Sequence, residues 1–270
     1  MTGSAARRSI TPDNPRGLRD LPFPVADVTA GDKRRARAIL TALRDRYPDA
    51  RCALTYSAPH ELLIATILSA QTTDINVNKA TPALFKRFPA PADYAAATPE
   101  MIEPSIRSLG FYHNKVRAIH ESMREVMERF GGEIPRTMDD LLTLRGVARK
   151  TANVVLGNAF GINDGFVVDT HIERLAKRFG LAPADATVAK VERSLCALFP
   201  RDAWMELSHL FIAHGRAVCK ARGGTCAEDA ICRRFCSDAG IKPKRTPAPR
   251  KKSTRAPTPR KARSKRSNRA

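Results

Sequence analysis

The chain has 270 residues and a formal net charge of +20, with 47 Lys and Arg against 27 Asp and Glu. This length supports a sizeable apolar core, and the charge points to a polyanionic partner. No run approaches the roughly 18 apolar residues of a membrane helix, which excludes a helical span. The N-terminus lacks an apolar signal core, so an intracellular protein is expected.

Residues 1–30 mix Pro12, Pro15, Pro22 and Pro24 with charges and small residues, the composition of a disordered arm. Ala36, Ile39, Leu40 and Leu43 repeat at helical spacing and predict a helix over Arg34–Tyr47. Ser57, with Pro59 in the first turn, predicts a helix through Leu68. Its stretch from Leu62 to Leu68 is apolar on nearly every side and belongs in the middle of a fold. Helical patterns follow over Val77–Phe85, Pro99–Leu109, Lys115–Phe130 and Met138–Leu144, punctuated by Gly131, Gly132 and Pro135.

The stretch 141–174 then reads as the centre of the chain. Leu141, Leu142 and Leu144 end one helix, and Arg145, Gly146, Val147 and Ala148 turn the chain. A second helix runs over Arg149–Ala159, with Gly161 placed to stop it. Two helices joined by so short a Gly-containing turn form a helix-hairpin-helix unit. Its second helix offers free N–H groups and a positive dipole end, which suits a phosphate. Such a hairpin grips a nucleic-acid backbone without reading its sequence. Beyond it, Asp169 is an N-cap candidate for a helix reaching Phe179 and stopping at Gly180, and helices follow over Val188–Leu198 and Trp204–His214. No alternating strand pattern appears, so the expected class is all-α.

The C-terminal part carries Cys219, Cys226, Cys232 and Cys236, spaced C-x6-C-x5-C-x3-C. In an intracellular protein six cysteines argue for metal binding or burial rather than disulfides. Four thiolates so close in sequence suit a [4Fe–4S] cluster, with zinc as the alternative. Cys52 and Cys196 are expected simply to be buried. Residues 242–270 hold 13 Lys or Arg and no acid, a Pro-rich basic tail that is disordered until bound.

Several of these stretches together resemble the endonuclease III family of helix-hairpin-helix base-excision DNA glycosylases. The resemblance covers about residues 34–240. It rests on the hairpin with Lys150 and Asp169, on 68–74 (Leu-Ser-Ala-Gln-Thr-Thr-Asp), on 77–80 (Val-Asn-Lys-Ala), on Gly110-Phe111-Tyr112 and on His214-Gly215-Arg216. It implies a six-helix domain over 52–163 and a second helical domain from 31–51 plus 164–240. The active site then lies in the cleft between them, with an arm over 1–30 and a basic tail over 241–270. The implied activity is that of a bifunctional glycosylase and abasic-site lyase acting on oxidised pyrimidines in double-stranded DNA. The resemblance also implies a monomer in the bacterial cytoplasm, associated with the nucleoid. An adenine-type mismatch glycosylase and a non-catalytic helix-hairpin-helix DNA-binding protein remain the alternatives.

By the same resemblance Lys150 attacks C1′ of the damaged nucleotide and Asp169 assists. A lone first-turn lysine is ordinarily just solvated, and an attacking amine must be neutral. The helix N-terminus and the adjacent Arg149 both disfavour the ammonium. Asp169 has a second reading as a plain N-cap, and the two roles are compatible. Base flipping leaves a gap in the duplex. Gln71 is expected to fill it with Phe111 wedged beside it, although a buried core aromatic is the competing reading of Phe111. Arg145, Gly146, Val147, Ala148 and Arg149 are expected at the DNA backbone. Asp74 is read as closing a helix end or orienting neighbours, and His171 and His214 as structural.

Three departures from the family's pattern stand out. Arg145 and Ala148 replace its usual Pro and Gly, and an alanine is strained if its site needs φ > 0. The lysine-to-aspartate segment is one residue longer. The family's cysteine pattern is C-x6-C-x2-C-x5-C, so Asp229 and Phe235 stand where two ligands would fall.

Overall fold

The computed structural model describes residues 27–236, so most of the expected arm and the whole basic tail lie outside the described residues. Among the described residues there are only helices and turns, with no strand, as expected. The helices are α1 (Ala30–Arg46), α2 (Pro59–Leu68), α3 (Asp74–Arg87), α4 (Pro91–Ala96), α5 (Pro99–Ile106), α6 (Tyr112–Phe130), α7 (Met138–Thr143), α8 (Arg149–Phe160), α9 (Thr170–Arg178), α10 (Val188–Leu198), α11 (Trp204–Ala217) and α12 (Ala230–Phe235).

Helix starts differ from the sequence pattern where polar caps, not apolar spacing, set them. α1 begins four residues earlier than expected because Thr29 and Asp32 form a capping box. The Asp32 N–H donates to Thr29 Oγ1 at 3.1 Å and the Thr29 N–H to Asp32 Oδ2 at 3.0 Å. α2 has Ala58, not Ser57, at its N-cap. Glu61 reaches back instead and takes the Ser57 hydroxyl at 2.7 Å. α3 starts at Asp74 behind the Thr73 cap rather than near Val77. Two six-residue helices, α4 and α12, escape a 3.6-residue periodicity because each is under two turns long.

The apolar side chains fall into two clusters. One gathers residues 54–156 around the fully buried Leu62, Leu63 and Ile64 of α2, which Leu68 closes. The other joins α1 (Ala36, Ile39, Leu40, Leu43) to residues 166–235, with Trp204, Phe166, Phe179 and Phe211 at its centre. Arg35 of α1 donates to the Phe235 carbonyl at 2.8 Å and also to that of Phe179, which holds the N-terminal helix on the C-terminal segment.

Between the clusters α8 packs on α11. Asn158 Oδ1 meets His209 Nε2 at 2.8 Å. A Cβ added to Gly157 would lie 2.0 Å from Met205 Cε, so the two helices approach as closely as glycine permits. Arg149 bonds Glu192 of α10 through Nε at 3.1 Å and Nη2 at 3.0 Å, with the Glu192 side chain only 9% exposed. A half-buried pair of this kind orients the two lobes more than it stabilises them.

Candidate active site and thiolate centre

The hairpin is built as the sequence predicts, and its strain sits at Gly146. Gly146 has φ 79, and a Cβ there would stand 2.8 Å from Ala118 Cβ. Ala148 has φ −95 and ψ 169, ordinary extended backbone, so alanine is tolerated where the family's glycine stands. No side chain caps α8, so its first N–H groups stay open toward an anion.

The hairpin's side chains do not all point outward. Val147 is 7% exposed and packs in the first cluster, so only its backbone is available at the surface. Arg145 pairs with Glu121 at 2.7 Å on the exposed side. Arg149 turns inward to Glu192 and is a bolt between lobes, which corrects the expectation that it faces the DNA backbone. Its charge is thereby offset next to Lys150.

Lys150 follows on the exposed face of α8 and makes no hydrogen bond or ion pair among the described residues. Asp169 comes from the other lobe as the N-cap of α9. Its Oδ1 accepts from the His171 and Ile172 N–H groups, both at 2.8 Å, while Oδ2 takes no hydrogen bond among the described residues. Both readings of Asp169 therefore fit one side chain.

The two residues line two adjoining chambers. The outer one, of about 630 Å³, also has Ile75 and Val188 on its walls. The inner one, of about 110 Å³, is closed by Cys52, Ser208 and His209. Lys150, Asp169, Ser69, Asp74 and Arg216 belong to both. Asp74 is the first residue of α3 and forms an ion pair with Arg216 of α11 across the cleft. Cys52 is half-buried on the inner wall, which corrects its assignment to the core.

Burial holds the His209 imidazole down at about 4, so it stays neutral beside Asn158. Burial likewise lowers His171, against the pull of Asp169. The sequence does not single out His209, Ser208 or Glu192. Nothing in their spacing marks them, because they matter only through packing between lobes.

Gln71 and Phe111 are both exposed, Phe111 at 66%, so the core-aromatic reading is overturned. They are the two non-glycine residues with positive φ among the described residues, 52 and 57. They lie on separate loops, before α3 and before α6.

The four cysteines converge. The sulfurs of Cys219, Cys232 and Cys236 all lie within 4.8 Å of one another, and Cys226 packs against Cys219 and Cys232. The unfamiliar spacing has a local cause. Asp229 N-caps α12, taking the Cys232 N–H at 2.9 Å, and Phe235 is buried in the second cluster. Cys232 in α12 and Cys236 at its C-cap are then joined by the Cys236 N–H donating to the Cys232 carbonyl at 2.8 Å. Arg178 Nη1 donates to Cys219 Sγ at 3.1 Å, and His214 Nε2 stands 3.2 Å from Cys232 Sγ. Bonds from Cys232 and Cys236 first, then Arg178, hold the Cys219 thiol far below its usual range. Giving those bonds pushes Cys232 and Cys236 up, and burial raises Cys226. Four gathered sulfurs with the Arg178 guanidinium beside them fit a metal cluster, which requires thiolates.

Arg174 links this centre to the cleft. Its Nε donates to the Cys219 carbonyl at 3.0 Å and its Nη2 meets His171 Nδ1 at 3.1 Å, two residues from Asp169.

Comparison with known proteins follows the same lines. Residues 64–201 match the family model described as HhH-GPD superfamily base excision DNA repair protein. Endonuclease III of Synechocystis sp. is 50% identical over 199 residues, 74% of this chain and 90% of that protein. Endonuclease III of Bacillus subtilis is 42% identical over 189 residues, 70% of this chain and 86% of that protein. A solved structure of a trapped endonuclease III–DNA covalent intermediate superposes with a TM-score of 0.72 at 41% identity, covering 78% of this chain and 96% of that one.

Proposed function

This chain belongs to the endonuclease III family of the HhH-GPD superfamily, base excision DNA repair glycosylases and abasic-site lyases, and on that premise we propose that it removes oxidised pyrimidines through Lys150. The observation that carries this reading is the meeting of Lys150 and Asp169, from opposite lobes, on the walls of the same two chambers.

The uncapped α8 N-terminus and the Gly146 turn hold the phosphates beside the lesion. The damaged nucleotide leaves the stack and enters the cleft, while Gln71 and Phe111 occupy the space it vacates. Lys150 Nζ attacks C1′ as the glycosidic bond breaks, and the base departs with the bonding electron pair and takes up a proton. Asp169 stabilises the positive charge developing at C1′ and accepts a proton from the lysine. Opening of the sugar ring gives a Schiff base between Nζ and C1′. Loss of a C2′ proton then expels the 3′ phosphate by β-elimination, and water releases the lysine.

We read the four thiols as ligands of a [4Fe–4S] cluster, supported by family membership and by the gathered sulfurs. When bound it would supply a rigid support for Lys220 and Arg222 of the loop and Arg233 and Arg234 of α12 as phosphate contacts. The tail adds electrostatic affinity that falls steeply with salt.

Borohydride trapping tests the assignment on duplexes carrying thymine glycol, an abasic site or no damage. Wild type gives a covalent adduct with both lesions, and Lys150→Ala gives none. An adduct retained by the variant removes Lys150 from the mechanism. No adduct from wild type, with equal binding to all three duplexes, supports the non-catalytic alternative.

A further inference from the structure

We propose that Lys115 is a positioning residue that ties the Gln71 and Phe111 loops into one wedge, an inference that rests on the base-flipping reading above. The two residues stand on loops 40 positions apart, yet both hold the left-handed conformation that L-residues avoid. Backbone outliers of this kind persist only where the surroundings over-determine them.

Lys115 is what the two loops share. Its backbone N–H donates to the Phe111 carbonyl at 3.3 Å in the first turn of α6. Its ammonium reaches back to Thr72 Oγ1 at 2.6 Å, and that hydroxyl donates to the Ala70 carbonyl at 3.3 Å. Gln71 is thus bracketed on both sides by groups that Lys115 orders.

The choice of lysine here needs a reason. Lys115 is 5% exposed and has no carboxylate partner among the described residues, so burial alone lowers its pKa. A buried cation with one hydroxyl partner is expensive, and a methionine of similar length would pack at less cost. What lysine adds is a directional, charge-assisted bond between the loops.

The experiment places 2-aminopurine opposite a tetrahydrofuran abasic analogue in a duplex. Stopped-flow fluorescence reports insertion of the wedge by the full-length protein. The set is wild type, Lys115→Met, Lys115→Arg, Thr72→Val and the Lys115→Met/Thr72→Val double variant, each with its thermal midpoint and its affinity for undamaged duplex. Lys115→Met slows insertion by about tenfold, the scale of one charge-assisted hydrogen bond, without lowering the midpoint or the undamaged-duplex affinity. Thr72→Val does the same, the double variant is no slower than either single, and Lys115→Arg recovers part of the rate. Wild-type insertion in Lys115→Met, multiplicative losses in the double variant, or a loss that tracks a falling midpoint would each overturn the proposal. A wild type that binds this duplex with no fluorescence change takes down the base-flipping reading and this proposal together.

Discussion

The two lobes solve the same packing problem by different means. The first builds its core from one continuous stretch, 54–156, around a helix that is apolar on nearly every side. The second closes a core from segments far apart in sequence, α1 at one end and 166–235 at the other. It finishes on α12, six residues long, where Ile231, Cys232 and Phe235 are its buried side chains. A helix that short has no stability of its own. Its place depends on the Asp229 cap, on Arg35 reaching the Phe235 carbonyl and on its buried side chains. Lobe one is therefore held by apolar burial, whereas the end of lobe two leans on polar bonds and, on the proposed reading, on a metal cluster. The proposed catalytic pair takes one residue from each, Lys150 from the α8 start and Asp169 from the α9 cap.

That contrast can be tested from the thiol end first. Cys232→Ser removes a proposed ligand and the sulfur that Cys219 leans on. A bound structural metal contributes on the order of 10 kcal/mol to small metal domains. The variant should lose its metal, its visible absorbance and lobe two's thermal transition, as metal analysis and calorimetry would record. Iron and sulfide retained at wild-type levels with an unchanged midpoint would show that Cys232 is not a ligand. Zinc in place of iron in the wild type would remove the cluster but leave the contrast standing.

A smaller loss is expected in lobe one. Leu63→Ala opens a cavity at a fully buried site of α2 and should cost about 2–5 kcal/mol, with metal content unchanged. A variant that also sheds its metal would mean that the lobes unfold as one unit.

The smallest effect lies between the lobes and depends on pH. Burial holds folded His209 neutral down to about 4, whereas an unfolded histidine takes up its proton near its ordinary pKa of about 6.5. The unfolded state therefore binds the proton first, and stability falls as pH drops through the window between those values. The loss reaches at most about 3 kcal/mol at the lower end. His209→Gln keeps an amide for Asn158 but cannot titrate. The stability gap between wild type and this variant should narrow as pH falls from 7 to 5, and a gap independent of pH would sink the assignment.

Much of the site was legible because its signals are local. Gly146, Lys150 and Asp169 each announce themselves by a turn, a helix start or a cap within a few residues. Ala148 shows where a local rule needs coordinates, since the positive φ falls on Gly146 and leaves Ala148 extended. Arg149 reads in sequence like any hairpin cation, and only packing reveals Glu192 beneath it. The shifted cysteines pose the same problem in one dimension, and α12 with its C-cap brings Cys232 and Cys236 together.

By itself the sequence determined most of the helices, the hairpin and the candidates for the reactive groups, because apolar period, capping residues and glycine placement act over one or two turns. Tertiary structure decided the rest. It chose which cations face outward and gathered the sulfurs. It brought Lys150 and Asp169 to a common cleft and linked the Gln71 and Phe111 loops through Lys115. Those outcomes depend on contacts between residues tens of positions apart, whose geometry no local pattern encodes until both cores have closed.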